Sequence, residues 1–192
     1  MFQIRIHGRG GQGVAAGAEM LSVAAFLEGR YAQAFPSFGG ERMGSPVTAC
    51  CRIDDREIRS REPVLAPDAL IIQDLTLRHR VDLFGGLPAQ GCVLINSACG
   101  FEELGLADFA RALHPSRLCT VAATEIGLKH LGRPIPNAAL LGGFAAVSGQ
   151  VKLSSVIVAI REKFPRQIAE ANVAAAREGY ALAKMAEEAA HA

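Results

Sequence analysis

Apolar and polar positions along the chain fall into short apolar runs separated by longer mixed segments. Residues 2–7 form the first run and predict a strand, followed by a glycine-rich turn and a helix from about Val14 to Leu27. Glu28-Gly29 closes that helix, since glycine accepts the left-handed conformation of a C-cap. Residues 31–35 predict a second strand. In 47–53, Val47, Ala49, Cys51 and Ile53 alternate with Thr48, Cys50 and Arg52, the period of a strand with two distinct faces. Asp54-Asp55 then reads as the turn of a β-hairpin whose second arm is "REIRS". The runs 69–74, 91–96 and 118–124 predict buried strands, with a helix near 76–83 between the first two. From Glu125 onward the strand period is gone. "EIGLKHLG" and "NAALLGGFAAVSG" read as helices, Ser154 is a candidate cap for a helix over 155–163, and a last helix covers about 166–190. That helix carries Ile168, Ala171, Ala175, Gly179, Leu182 and Met185 at helical spacing. Such a stripe suits packing within the chain's own core, or the close approach of a partner surface.

Strands alternating with helical segments predict an α/β fold: a Rossmann-like, doubly wound, mainly parallel sheet with a β-hairpin insertion and a helical C-terminal part. We expect one domain over 1–192, with the helices of about 125–190 packing on it or on partner subunits. The chain shows no internal repeat.

Composition narrows the function classes. Half the residues are apolar, a fifth are charged, and the formal net charge is +1. That balance argues against a nucleic-acid footprint, and the absence of Trp argues against a stacking platform for single strands. No apolar run is long enough for a membrane span and no secretory signal is evident, so the expected location is the cytoplasm. Cys50, Cys51, Cys92, Cys99 and Cys119 include no C-x-x-C spacing, so neither zinc nor an iron–sulfur cluster is expected in this chain. The histidines lack paired-ligand spacing, and Ser37, Ser97 and Ser148 lack a nucleophile elbow. No catalytic residue is assigned.

The candidate chemistry lies in "HGRGGQGV". Gly8, Gly10 and Gly13 spell G-x-G-x-x-G between a predicted strand and a predicted helix. Unpaired N–H groups and the helix dipole favour an anion there, and Arg9 adds positive charge. A phosphate, a carboxylate or the backbone of another chain would each suit the turn. A dinucleotide needs an acidic residue about 20 positions on to hold the ribose, and "RYAQAFPSF" contains none. A second polar, glycine-rich loop, "PSFGGERMGSP", presents Glu41 and Arg42 as candidates to face a cofactor or partner.

Together, "HGRGGQGV", "FPSFGGERMGSPVTACCRIDD", "REPVLAPDALIIQD", "ATEIGLKHLGRPIPNAALLGGFAAVSG" and "AEANVAAAREGY" resemble the gamma subunit, or gamma domain, of 2-oxoacid:ferredoxin oxidoreductases, collinearly over roughly residues 3 to 182. Where that family typically has an aromatic residue, Gly-Pro-Glu and Arg, this chain has Phe38-Gly39-Gly40-Glu41-Arg42. The resemblance implies a complex that oxidatively decarboxylates a 2-oxoacid and transfers the acyl group to coenzyme A. Thiamine diphosphate, Mg and iron–sulfur clusters would sit on partner subunits of alpha, beta and delta type. The electron acceptor would be ferredoxin, or NAD through a flavin subunit. The gamma piece would aid assembly and help cover or bind coenzyme A. The residues expected to contact a cofactor or an interface are Arg9, Gly10, Gly11, Gln12, Gly13, Phe38, Glu41 and Arg42, with Thr124, Glu125 and Asn137 ordering the loops around them. A scaffold subunit without ligand contact and a free-standing dinucleotide-binding oxidoreductase stand as alternatives. The 2-oxoacid itself is not specified by these residues.

Overall fold

The structure is a computed structural model that describes residues 1–37 and 43–191. In chain order it comprises β1 (Phe2–Arg9), α1 (Val14–Leu27), β2 (Tyr31–Ser37), β3 (Pro46–Asp54) and β4 (Ala69–Ile72). A 3₁₀ turn (Leu75–His79) leads to β5 (Cys92–Asn96), α2 (Ala107–Arg111), β6 (Leu118–Val121), α3 (Ala123–Leu131), α4 (Asn137–Ser148), α5 (Leu153–Lys163) and α6 (Arg166–His191). The strands form one sheet in the order β2-β3-β1-β4-β5-β6. The pairings β1–β4, β4–β5 and β5–β6 are parallel, and β3 runs antiparallel to both β1 and β2.

This is the expected α/β sheet, with the hairpin in a different place. β2 is the first arm and β3 the second, so the arms are joined after Ser37 and not at Asp54-Asp55. β3 is wedged between β1 and β2, which run in the same direction one strand apart. The segment "REIRS" is not a strand, and the reason is the buried Arg52 side chain. Arg52 donates through Nη1 to the Ser60 carbonyl (3.2 Å) and through Nη2 to the Glu62 carbonyl, satisfying backbone acceptors that a ladder would otherwise use. Its guanidinium also lies 4.8 Å from the Phe35 ring centroid.

The two faces of the sheet are covered differently. Ile4, Ile6, Cys51, Ile71 and Leu94 share one core with α1, α4 and α5. Leu70, Ile72, Val93 and Ile95 face the other way, under Leu77 of the 3₁₀ turn and Phe109 of α2. The expected helix near 76–83 is thus a short 3₁₀ turn. Its cap is Asp74, whose Oδ1 accepts the Thr76 N–H. Ser154 lies within α5, whose N-cap position is Lys152.

The central helix pair is α4 and α6. α4 is buried over its whole length, and α6 crosses it through small residues. A Cβ on Gly142 would lie 1.9 Å from the Ala176 carbonyl oxygen, and one on Gly179 would lie 2.1 Å from that of Ala139. The two backbones therefore meet directly. The small-residue stripe of α6 divides accordingly: Gly179 sits against α4 and Ala175 is buried, while Ile168, Leu182 and Met185 remain exposed.

Candidate functional site at the glycine turn

The turn that holds the candidate residues follows β1 at the carboxyl ends of the parallel strands. From β1 the chain crosses one face of the sheet through α1 towards β2, while β4 to β6 are connected across the other face. The crevice between β1 and β4 is therefore the topological switch point where open α/β sheets bind ligands.

Arg9, expected to offer its charge to a ligand, spends it within the chain. Nε pairs with Asp74 Oδ2 at 2.7 Å, Nη2 donates to Thr76 Oγ1 at 2.8 Å, and Nη1 donates to the Gly44 carbonyl at 3.0 Å. Burial opposes ionisation of Asp74, but hydrogen bonds from Thr76 and Arg9 outweigh it and hold the carboxyl below the usual carboxylate range. The expected row of backbone donors also narrows. Gly10 N donates to the Ser45 carbonyl (2.9 Å) and Gln12 N to the Arg9 carbonyl (3.0 Å), so neither is free for a ligand. In return Gly44 N donates to the Gly10 carbonyl (3.0 Å), which ties residues 43–45 to the turn.

Free donors remain at the start of α1. Gly13, at φ +77°, is the N-cap, and no side chain caps the helix. The first bond back to the cap is Gly17 N to the Gly13 carbonyl, at 2.9 Å. The N–H groups of Gly11, Gly13, Val14, Ala15 and Ala16 have no acceptor among the described residues. Asn137, the first residue of α4, presses on this turn: a Cβ on Gly13 would lie 2.5 Å from Asn137 Nδ2. The Asn137 side chain is 3% exposed, and its Oδ1 accepts the Ala138 N–H at 2.8 Å.

The structure therefore brings Arg9 to Gly13 and Asn137 together. Thr124 lies elsewhere on the carboxyl edge: its N–H donates to Asn96 Oδ1 (3.0 Å) and its Oγ1 accepts from Asn96 Nδ2 (2.7 Å). Asn96 Nδ2 also donates to the Gln73 carbonyl (2.8 Å), which joins the ends of β4 and β5. Glu125 is in the first turn of α3. Phe38, Glu41 and Arg42 lie outside the described residues. Asp74, Thr76 and Asn96 are partners that the sequence reading missed. Their signal was a polar residue directly after a buried apolar strand, at the edge where ligands and caps gather.

Two clefts share Gly11, Gly13 and Ala16. One, of about 480 Å³, runs towards Arg9, Met43 and Val47. The other, of about 540 Å³, runs towards α3, α4 and α6. Neither brings a nucleophile together with a base, so the chemistry on offer is anion binding and close backbone contact. Burial pushes the Cys51 and Cys92 thiols up to about 12 and Cys119 to about 11, so these three are poor sources of a thiolate. Among the described residues no group of three or more His, Cys, Asp or Glu side chains is placed to hold a metal ion. A dinucleotide also fits poorly: β3 separates β2 from β1, which moves the usual ribose-reading position one strand away, and 31–37 contain no acidic residue. Among the described residues no helix is long and apolar enough to cross a membrane.

The family model for pyruvate ferredoxin/flavodoxin oxidoreductase matches residues 3–182. The common subunit gamma of the pyruvate/ketoisovalerate oxidoreductases of Pyrococcus abyssi is 45% identical over 180 residues, covering 94% of this chain and 96% of that one. Pyruvate synthase subunit PorC of Methanothermobacter marburgensis is 46% identical with the same coverage. Among solved structures, pyruvate oxidoreductase subunit PORC from Thermotoga maritima superposes with a TM-score of 0.79 at 36% identity, covering 94% of this chain and 96% of that one.

Proposed function

This chain belongs to the pyruvate ferredoxin/flavodoxin oxidoreductase family, and from that membership we propose that it serves as the gamma-type subunit of a multi-subunit, coenzyme A-dependent 2-oxoacid oxidoreductase. The reaction converts a 2-oxoacid, coenzyme A and an oxidised acceptor into acyl-coenzyme A, CO2 and a reduced acceptor. The observation that carries this reading is the match to gamma subunits over nearly the whole length of both chains. Thiamine diphosphate and iron–sulfur clusters supply the decarboxylation and the electron transfer on alpha-, beta- and delta-type partners in the cytoplasm, and ferredoxin or a flavin/NAD subunit takes the electrons. Pyruvate heads the candidate substrates, on the names of the relatives.

This chain's own contribution is to assembly and to coenzyme A. The free N–H groups at the start of α1 are suited to a diphosphate, and Asn137 fixes the turn that presents them. Arg9 acts at one remove, by tying residues 43–45 and Asp74 to that turn. Glu41 and Arg42 would face the same site or the interface beside it.

Hydrogen exchange on the intact complex, with and without coenzyme A, tests the contact. Slower exchange of the amides of residues 11–16 on adding coenzyme A is the expected result. Unchanged exchange in an active complex would leave the scaffold role alone, a reading favoured by the internal use of Arg9 and Gly10.

A further inference from the structure

Three helices begin around the larger cleft. Gly13 and Ala16 from the start of α1, Asn137 at the start of α4, and Gln167 and Ile168 from the first turn of α6 all line it. The first bond back from α6 is Ala169 N to the Pro165 carbonyl, so the N–H groups of Arg166, Gln167 and Ile168 have no acceptor among the described residues. α1 and α6 thus both direct the positive ends of their dipoles to this cavity.

The Asn137 side chain is almost wholly buried, yet Nδ2 donates to no group among the described residues, and the residue lines the cavity. An amide donor that lines a cavity and has no protein acceptor is available to an oxygen of a bound group. Arg133 adds a cationic side chain on the rim with no ion-pair partner among the described residues. Among the described residues no Asp or Glu lines the cavity. The adjacent carboxylate, Glu178, is held by His130 Nε2 at 2.6 Å and Lys129 Nζ at 2.8 Å. Leu131, Ile135, Phe164 and Ile168 give the cavity an apolar wall, and His130 and Asn172 also line it.

We propose that this cavity binds an organic phosphate: an anionic group held by the start of α1, Asn137 Nδ2 and Arg133, with its apolar portion against Leu131, Ile135, Phe164 and Ile168. The proposal rests on the anion-binding reading of the glycine turn, and adds the pocket, the side-chain donors and the apolar requirement. It places the ligand on the α6 side of the turn, away from Arg9.

The test is a titration of the full chain with phenyl phosphate, followed by NMR of backbone and Asn side-chain amides, with inorganic phosphate and phenol as separate arms. Phenyl phosphate should give saturable shifts at Gly13, Ala16 and the Asn137 side chain, at lower concentration than inorganic phosphate, and phenol alone should not. Asn137→Asp keeps an acceptor for the Ala138 N–H but reverses the charge preference, and should weaken binding at least tenfold. Arg133→Ala removes an exposed side chain that supports no described contact, so it tests the anion site without endangering the fold, and should weaken binding by about tenfold. Absence of saturable shifts at these residues, or shifts scattered over surface Lys and Arg and indifferent to both variants, would overturn the proposal. Failure of the coenzyme A reading looks different: phenyl phosphate still binds here, but coenzyme A leaves the exchange of residues 11–16 in the complex unchanged.

Discussion

Gly13 and Asn137 constrain each other at the residue scale. Gly13 needs its left-handed φ to start α1, and the space a side chain would take there is filled by Asn137 Nδ2. Gly13→Ala adds backbone strain and displaces Asn137 together, and should cost about 2 kcal/mol in urea unfolding. Arg9 gives a sharper test of its role. Because its guanidinium is bonded to Asp74, Thr76 and Gly44, Arg9→Ala should lower stability by about 1 kcal/mol with no ligand present. A ligand-only role would leave that curve unmoved. His7 carries the pH dependence. Burial, then the neighbouring Arg5, lower its pKa from 6.5 to about 4. Arg5 Nε donates to His7 Nε2 at 2.9 Å, which requires the neutral ring. The unfolded chain binds the proton more readily, so stability falls as pH drops from about 6.5 to about 4. The total loss is about 3 kcal/mol, and it should be absent in His7→Gln compared over the same range.

Among the elements, the crossing of α4 and α6 is the least tolerant. Gly142→Ala or Gly179→Ala places a methyl against the facing backbone, which cannot swing aside as a side chain would. Each should cost about 3 kcal/mol or more, read as a lower urea midpoint at unchanged slope. Periodicity alone could place α1 and the three buried strands, because their apolar runs are bounded by glycine, proline or polar residues. It could not place the hairpin. Val47 to Ile53 alternate as any two-faced strand would, and nothing local says that β3 inserts beside β1 and leaves "REIRS" to be held by Arg52. The division of the α6 stripe was equally hidden, since which small residues face α4 depends on a crossing between segments far apart in sequence.

At the scale of the whole molecule, the clefts at the glycine turn assemble no nucleophile with a base among the described residues. The glycine turn was legible because glycines between a strand and a helix have few local uses. Its internal wiring was not, because Asp74 reaches it only once β1 and β4 align their carboxyl ends, and Asn137 only once α4 packs beside the start of α1. Leu128, Ile168, Leu182 and Met185 remain exposed on α3 and α6. The central claim is that the chain works as one subunit of a larger enzyme. Its most direct test is purification from the native host through a tag on this chain, with the eluate assayed for coenzyme A-dependent dye reduction by a panel of 2-oxoacids. Co-elution of partner chains carrying thiamine diphosphate and iron, with one or more 2-oxoacids driving reduction, is the predicted result. Elution of the chain alone and inactive from cells that express it abundantly would contradict it.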